Sequence, residues 1–145
     1  MVQPIPEGYR TVTPYLIVPD PGALIEFMQR AFDAEETERS TMPDGRVMHA
    51  AVRVGDSMVM MGGANEKHPP RPSTIYLYVP DVDATYERAV AAGGTSLMEP
   101  ADQFYGDRNG GVEDRWGNQW WMGTHVEDVP PDELERRARE ERGGG

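Results

Sequence analysis

Cysteine is absent from this sequence. Its absence excludes a disulfide framework, a thiolate zinc site and a cysteine nucleophile. It also favours a reducing compartment, since small secreted domains usually need covalent staples. Histidine is scarce, with His49, His68 and His125 the three imidazoles of the chain, and no two of them stand at metal-ligand spacing. Long apolar runs are missing: nothing approaches the roughly 20 residues of a membrane helix. Met1 to Arg10 shows neither a signal peptide nor a transit peptide, so a cytoplasmic location is expected. Positive charge is short as well. Fourteen Lys and Arg face 25 Asp and Glu, for a net charge of −11 and a pI of about 4.6. Such a surface disfavours nucleic acid and anionic membranes as partners and weakly favours cationic or neutral small molecules. Part of that charge is a solvated cluster near the C-terminus, formed by Glu127, Asp128, Asp132, Glu133 and Glu135. The 145 residues, 38% hydrophobic and 27% charged, suit one domain with one core.

The chain contains an internal repeat. Thr13 to Asp20 reads TPYLIVPD and Thr74 to Asp81 reads TIYLYVPD, six of eight residues matching at one offset. The same offset pairs Ala23 with Ala84, Glu26 with Glu87 and Ala31 with Ala92. In each copy an extended run is stopped by Pro, and Asp then caps a helix. The helices are expected over Pro21 to Phe32 and Val82 to Ala92, each with an apolar stripe. Strands follow the first helix at Glu35 to Thr41, Val47 to Val54 and Ser57 to Met61. Gly55-Asp56 forms the hairpin turn between the last two. After the second helix the strands are Thr95 to Glu99, Gly111 to Asp114 and Gln119 to Thr124, with Asp102 to Asn109 expected as a turn-rich loop. Pro130 to Arg142 reads as a helix and Gly143 to Gly145 as a frayed end. The order is βαβββ twice. The expected fold class is therefore α+β, two modules forming a curved mixed sheet with an open cleft, plus a C-terminal helix. The domain spans 1–129, with modules at about 11–62 and 73–124, and 130–145 form the helix and tail.

Strand alternation assigns faces. The Gly55-Asp56 turn pairs Val54 with Ser57 and Arg53 with Met58. Val52, Val54, Val59 and Met61 then face a helix, and His49, Ala51, Arg53, Met58 and Met60 face the cleft. Thr13, Tyr15 and Ile17 share the cleft face in the first repeat strand, and Thr74, Tyr76 and Tyr78 in the second. Gln119, Trp121 and Gly123 do so in the last strand. Such a lining, rich in Tyr, Trp and Met with one Arg and one His, suits a flat, partly apolar ligand. Aromatics that simply fill a core are the plainer alternative, although a pure core has no place for Arg53 and His49.

Several stretches together carry a family resemblance: Pro6 to Leu16, Pro43 to Ala50, Gly55-Asp-Ser, Tyr105-Gly-Asp-Arg and Trp121 to Val129. On these the chain resembles the vicinal-oxygen-chelate (VOC) superfamily, which includes glyoxalase I, extradiol dioxygenases, fosfomycin-resistance enzymes and bleomycin-resistance proteins. Its PhnB-like, glyoxalase/bleomycin-resistance-like branch looks most similar. The resemblance implies four metal-binding positions on the first, fourth, fifth and eighth strands. They fall here on Thr13, Met60, Thr74 and Trp121, none a plausible ligand for a hard or borderline divalent ion. Neither a metal nor another cofactor is therefore expected. The resemblance also implies a homodimer whose subunits complete each other's cleft.

Three functional readings follow. The leading one is a metal-independent protein that binds and sequesters a small molecule, aromatic or cationic, of the bleomycin-resistance type. The second is a VOC-type isomerase, lyase or dioxygenase that uses His49 as a general base or holds a metal elsewhere. The third is a structural module with a filled core. The ligand-binding set is expected to be Thr13, Tyr15, His49, Arg53, Met58, Met60, Tyr76, Tyr78, Tyr105, Arg108 and Trp121. Tyr105, Asp107 and Arg108 are expected in a loop over the cleft, where an Asp107–Arg108 ion pair would be a simple structural role. No Ser-His-Asp arrangement, phosphate-cradling glycine loop or dinucleotide fingerprint is present.

Overall fold

A computed structural model describes residues 2–143. The strand–helix–strand order is that of two βαβββ modules. The first comprises β1 (Tyr15–Val18), α1 (Pro21–Phe32), β2 (Glu35–Thr41), β3 (Val47–Val54) and β4 (Ser57–Gly63). The second comprises β5 (Thr74–Tyr78), α2 (Val82–Ala91), β6 (Thr95–Asp102), β7 (Asp107–Glu113) and β8 (Gln119–His125), and α3 (Pro131–Gly143) follows. The frayed end expected over Gly143 to Gly145 falls mostly outside the described residues.

Both repeat helices begin as the residues dictate. Asp20 accepts from the Ala23 amide at 3.1 Å and Asp81 from the Ala84 amide at 3.2 Å, satisfying amides that the helix itself leaves unpaired. Pro21 occupies the first turn of α1, where its missing N–H costs nothing.

Each module carries its own four-stranded mixed sheet, in the orders β1-β4-β3-β2 and β5-β8-β7-β6, and the two sheets are not hydrogen-bonded to each other. The β3–β4 hairpin has the register set by its turn, Val54 opposite Ser57 and Arg53 opposite Met58. Helix α1 packs on β3 and β4, α2 packs on β6, β7 and β8, and the helices pack on one another. One core thus runs through both modules, with Leu16, Leu24, Met28, Val52, Met61, Val112 and Met122 buried in it. Trp120 of β8 bridges the halves, its ring 5.2 Å from Phe32 and 6.4 Å from Phe27.

Polar groups lock the joint. Arg88 of α2 grips the Asp33 carboxylate at 2.7 and 2.9 Å and donates to the Arg30 carbonyl at 3.1 Å. Its guanidinium therefore caps the C-terminal end of α1, where the last carbonyls of the helix lack partners. With the helices joined on the inner side of both sheets, the opposite faces of the sheets carry most of the candidate residues.

One stretch departs from the sequence-based expectation. Asp107 to Asn109, expected as loop, is the first half of β7 and pairs with His125, Thr124 and Gly123 of β8. Asp, Asn and Gly disfavour strands in isolation. Cross-strand partners override that preference here, because the Asp107 carboxylate finds its hydrogen bonds only in this extended position.

Candidate functional site

The free face of the first sheet carries Tyr15 and Ile17 of β1, His49, Ala51 and Arg53 of β3, and Met58, Met60 and Gly62 of β4. This follows from the registers Tyr15↔Met60, Ala51↔Met60 and His49↔Gly62. Tyr15 lies across Gly62, where any Cβ would fall 2.6 Å from the phenol oxygen. Only glycine leaves room for the ring to cross the strand and reach His49, whose Nδ1 is 3.3 Å from the Tyr15 hydroxyl. The two rings stack with centroids 5.8 Å apart. A hollow of about 440 Å3 opens beside them, bordered by Tyr15, Ile17, Met48, Gly62 and His68. Residues between Pro4 and Thr13 border a second hollow together with Met60 and Glu38.

The second module repeats this device with different chemistry. Tyr76 lies across Gly123, where a Cβ would overlap its hydroxyl, and Trp121 lies across Gly111. Gly62 and Gly123 stand at the same offset as the two tyrosines, so the repeat extends to a crossing Tyr over a Gly in each half. Beyond Gly123 the Tyr76 phenol reaches β7. It donates to Asp107 Oδ2 at 2.8 Å, and Tyr78 donates to the same oxygen at 3.0 Å. Asp107 Oδ1 lies 3.0 Å from His125 Nδ1, and His125 Nε2 lies 2.7 Å from Asp128. Asn109 Nδ2 donates to the hydroxyls of Tyr76 at 3.2 Å and Tyr105 at 2.7 Å.

Asp107 and Asn109 are buried, at 4% and 3% exposure, beneath phenols that stay open to solvent: Tyr76 at 41%, Tyr78 at 68% and Tyr105 at 40%. The Tyr76 and Tyr78 rings sit 5.1 Å apart. The result is a polar floor with an aromatic rim.

Electrostatics follow from these contacts. Burial alone would raise the Asp107 carboxyl, but hydrogen bonds from His125, Tyr76 and Tyr78 outweigh it and hold Asp107 below the usual carboxylate range. His125 is raised, first by its bond to Asp107 and then by its bond to Asp128. Burial, helped by the bond to ionised Asp107, pushes the Tyr76 phenol up to about 12, so it stays a neutral donor at ordinary pH.

The structure distributes the sequence-derived candidates over two faces. Tyr15, His49, Arg53, Met58 and Met60 share the free face of the first sheet, and Thr13 precedes it with its hydroxyl donating to the Arg10 carbonyl at 3.1 Å. Arg53 is paired with Glu35 and Met58 is buried. Tyr76, Tyr78 and Trp121 share the face of the second sheet, with Tyr105 beside them. Arg108 is not brought to that face. Strand alternation turns it away from Asp107, and its guanidinium grips Asp83 at 2.9 Å twice and Asp102 at 3.3 Å. That arrangement replaces the Asp107–Arg108 pair expected from sequence.

The candidate ligand-binding set from sequence contains none of Asp107, Asn109 and His125. Their signal lies in the register: once Asp107 pairs with His125 and Asn109 with Gly123, all three share a face with Tyr78 and Trp121. Sequence alone did not supply that pairing.

Comparison with known proteins agrees with the fold. A sequence model of the Glyoxalase/Bleomycin resistance protein/Dioxygenase superfamily matches residues 10–122, and the chain belongs to that superfamily. An uncharacterized protein of Mycobacterium tuberculosis is 38% identical over 135 residues, covering 86% of this chain and 79% of that one. TioX from Micromonospora has a TM-score of 0.71 at 24% identity, over 81% of this chain and 99% of its own. A PhnB protein from Bacillus cereus gives 0.63 at 19% identity, over 79% and 99%. These structural likenesses speak for the fold alone.

The metal that many members of this fold family use does not fit the residues present. The positions that the resemblance assigns to metal ligands hold the Thr13 hydroxyl, which lies ahead of β1 and not on it, the Met60 thioether, the Thr74 hydroxyl and the Trp121 indole, which lack the imidazole and carboxylate donors that divalent ions require. Among the described residues no three His, Asp or Glu side chains gather where they could hold an ion, and no helix is long and apolar enough to cross a membrane.

Proposed function

We propose that this protein binds a planar small molecule without a metal and serves to sequester it. The observation that carries this reading is the second sheet's free face, where Tyr76, Tyr78 and Tyr105 stand open to solvent above the buried Asp107 and Asn109. Aromatic faces left bare beside a few convergent polar groups are the ordinary composition of a ligand site. The net charge of −11 and the π-faces favour neutral or cationic planar compounds. His49 has a plainer role than catalysis, since its ring is stacked and bonded against Tyr15.

A homodimer belongs to the same proposal. The free faces of the two sheets turn away from the helical joint within one chain, and a second copy would set a first-module face against a second-module face. Tyr15 and Tyr78, 50% and 68% exposed, would then be covered.

Elemental analysis of the purified protein, with calorimetric titration of zinc, nickel, manganese and iron(II), tests the first part. Fluorescence titration with the planar cation proflavine and sedimentation analysis test the rest. The expected result is no tight metal, saturable proflavine binding and a dimer. One tight metal per subunit overturns the metal-independent reading.

A further inference from the structure

The polar floor of the second sheet has one defect. Asn109 is 3% exposed, and its Oδ1 has no hydrogen-bond partner. The neighbouring groups are satisfied: Asp107 accepts from two phenols and faces His125, while Tyr76 both donates to Asp107 and accepts from Asn109. A buried acceptor left unmade is costly and calls for an explanation. Next to it, the Tyr105 hydroxyl accepts from Asn109 Nδ2 at 2.7 Å, and its own proton remains to be donated. Tyr105 hangs from the turn between Gln103 and Gly106, closed by the Gly106 amide on the Gln103 carbonyl at 3.2 Å, and its ring is 40% exposed. It can therefore move without disturbing β7, and Asn109 Nδ2 keeps Tyr76 as an acceptor when it does.

An acceptor on Asn109 and a donor on Tyr105, side by side under aromatic rings, complement a planar group that offers N–H and C=O on adjacent atoms. Asp107 gives such a ligand no competing site, because both of its oxygens are engaged. We propose that this subsite takes a ligand through a lactam or imide edge. The ligand N–H donates to Asn109 Oδ1, its carbonyl accepts from the Tyr105 hydroxyl, and its ring lies against Tyr76 and Tyr78. The proposal rests on the small-molecule reading above and gives that site its substrate class.

Oxindole, a planar lactam, and N-methyloxindole, the same ring without the N–H, separate the alternatives. Binding is read by NMR titration of the Asn109 side-chain amide and by quenching of tyrosine fluorescence, with proflavine as a planar comparator that has no amide edge. Oxindole is expected to bind roughly tenfold or more tightly than its N-methyl analogue, the consequence of leaving one buried acceptor unpaired. Asn109→Leu is expected to abolish that preference. Tyr105→Phe, which keeps the half-exposed ring and removes only its hydroxyl, is expected to weaken oxindole several-fold. Equal binding of the two lactams overturns the edge proposal, as does binding of proflavine with no binding of either lactam, and both results leave the aromatic-site reading standing. Failure of every planar compound to bind the folded protein overturns both.

Discussion

Asp114 is the residue whose loss should cost this fold most per atom removed. It is 4% exposed and sits at the turn between β7 and β8. Its Oδ1 accepts from the Trp116 and Asn118 amides, and its Oδ2 from Asn118 Nδ2 and Trp120 Nε1, all four at 2.9 Å. Asn118 and Trp120 are both fully buried. Asn118 also receives the Ser73 amide at 2.9 Å, which ties the segment between the modules to the turn. Trp120 is the ring that joins the two halves of the core. Asp114→Ala strands two fully buried donors, at about 1–3 kcal/mol each, and releases two amides to water. A total of about 3–5 kcal/mol is expected, against a typical stability of about 5–15. At roughly 3–4 °C per kcal/mol for a chain of this size, melting should fall by roughly 10–20 °C. Asp114→Asn keeps the shape but places an amide N–H2 or a single oxygen before four donors, so its cost should approach that of Ala. Calorimetry on both variants, with Trp fluorescence for exposure of Trp120, checks the reasoning. A melting point for Asp114→Asn within about 3 °C of the parent would refute it.

Two further predictions concern the second sheet. Gly123→Ala drives a methyl into the Tyr76 hydroxyl and lifts the phenol off Asp107. The Tyr76 titration should then drop from about 12 toward the ordinary value near 10. Ultraviolet titration of the phenols reads this, and an unchanged alkaline step would count against the geometry. The second concerns His125. Both its ring nitrogens face carboxylates, at 3.0 and 2.7 Å, an arrangement only the imidazolium satisfies. Its folded pKa is raised, so its contribution to stability is complete below the unfolded value of about 6.5 and is lost as pH rises through the folded value. The melting difference between the parent and His125→Gln should therefore be widest near pH 6 and shrink toward pH 9. Deprotonation should free the exposed Asp128 first, and amide exchange at Val126 to Asp128 should quicken over the same range. A difference that grows with pH would invert the argument.

Local physics made much of the architecture legible before any coordinates. The paired TPYLIVPD and TIYLYVPD stretches announce two copies of one unit. Pro19-Asp20 and Pro80-Asp81 stop a strand and cap a helix by side-chain chemistry that acts within three residues. Gly55-Asp56 sets the β3–β4 register, and with it the face of His49 and Arg53. Short-range rules of this kind depend on spacing, which the chain carries in itself.

The site was legible only in part. The tyrosines were found because they alternate on short strands, but their purpose depends on what lies across the sheet. Gly62 and Gly123 show their purpose only when a phenol is seen crossing each of them. Asp107 to Asn109 looks like a turn, because isolated Asp, Arg and Asn favour one. The strand emerges only when β8 supplies His125 and Gly123 as partners. Arg108, one residue from Asp107, serves Asp83 of α2 instead, since neighbours in a strand face opposite ways.

The sequence by itself determined most of the elements, their duplication and the β3–β4 register, because each of these rests on residue type and local spacing. The tertiary structure alone decided that the helices join the modules, that two sheets rather than one result, and that Asp107, Asn109, His125 and three tyrosines meet. Each of those outcomes is a contact between residues far apart in the chain, whose partners are chosen by how the whole core closes.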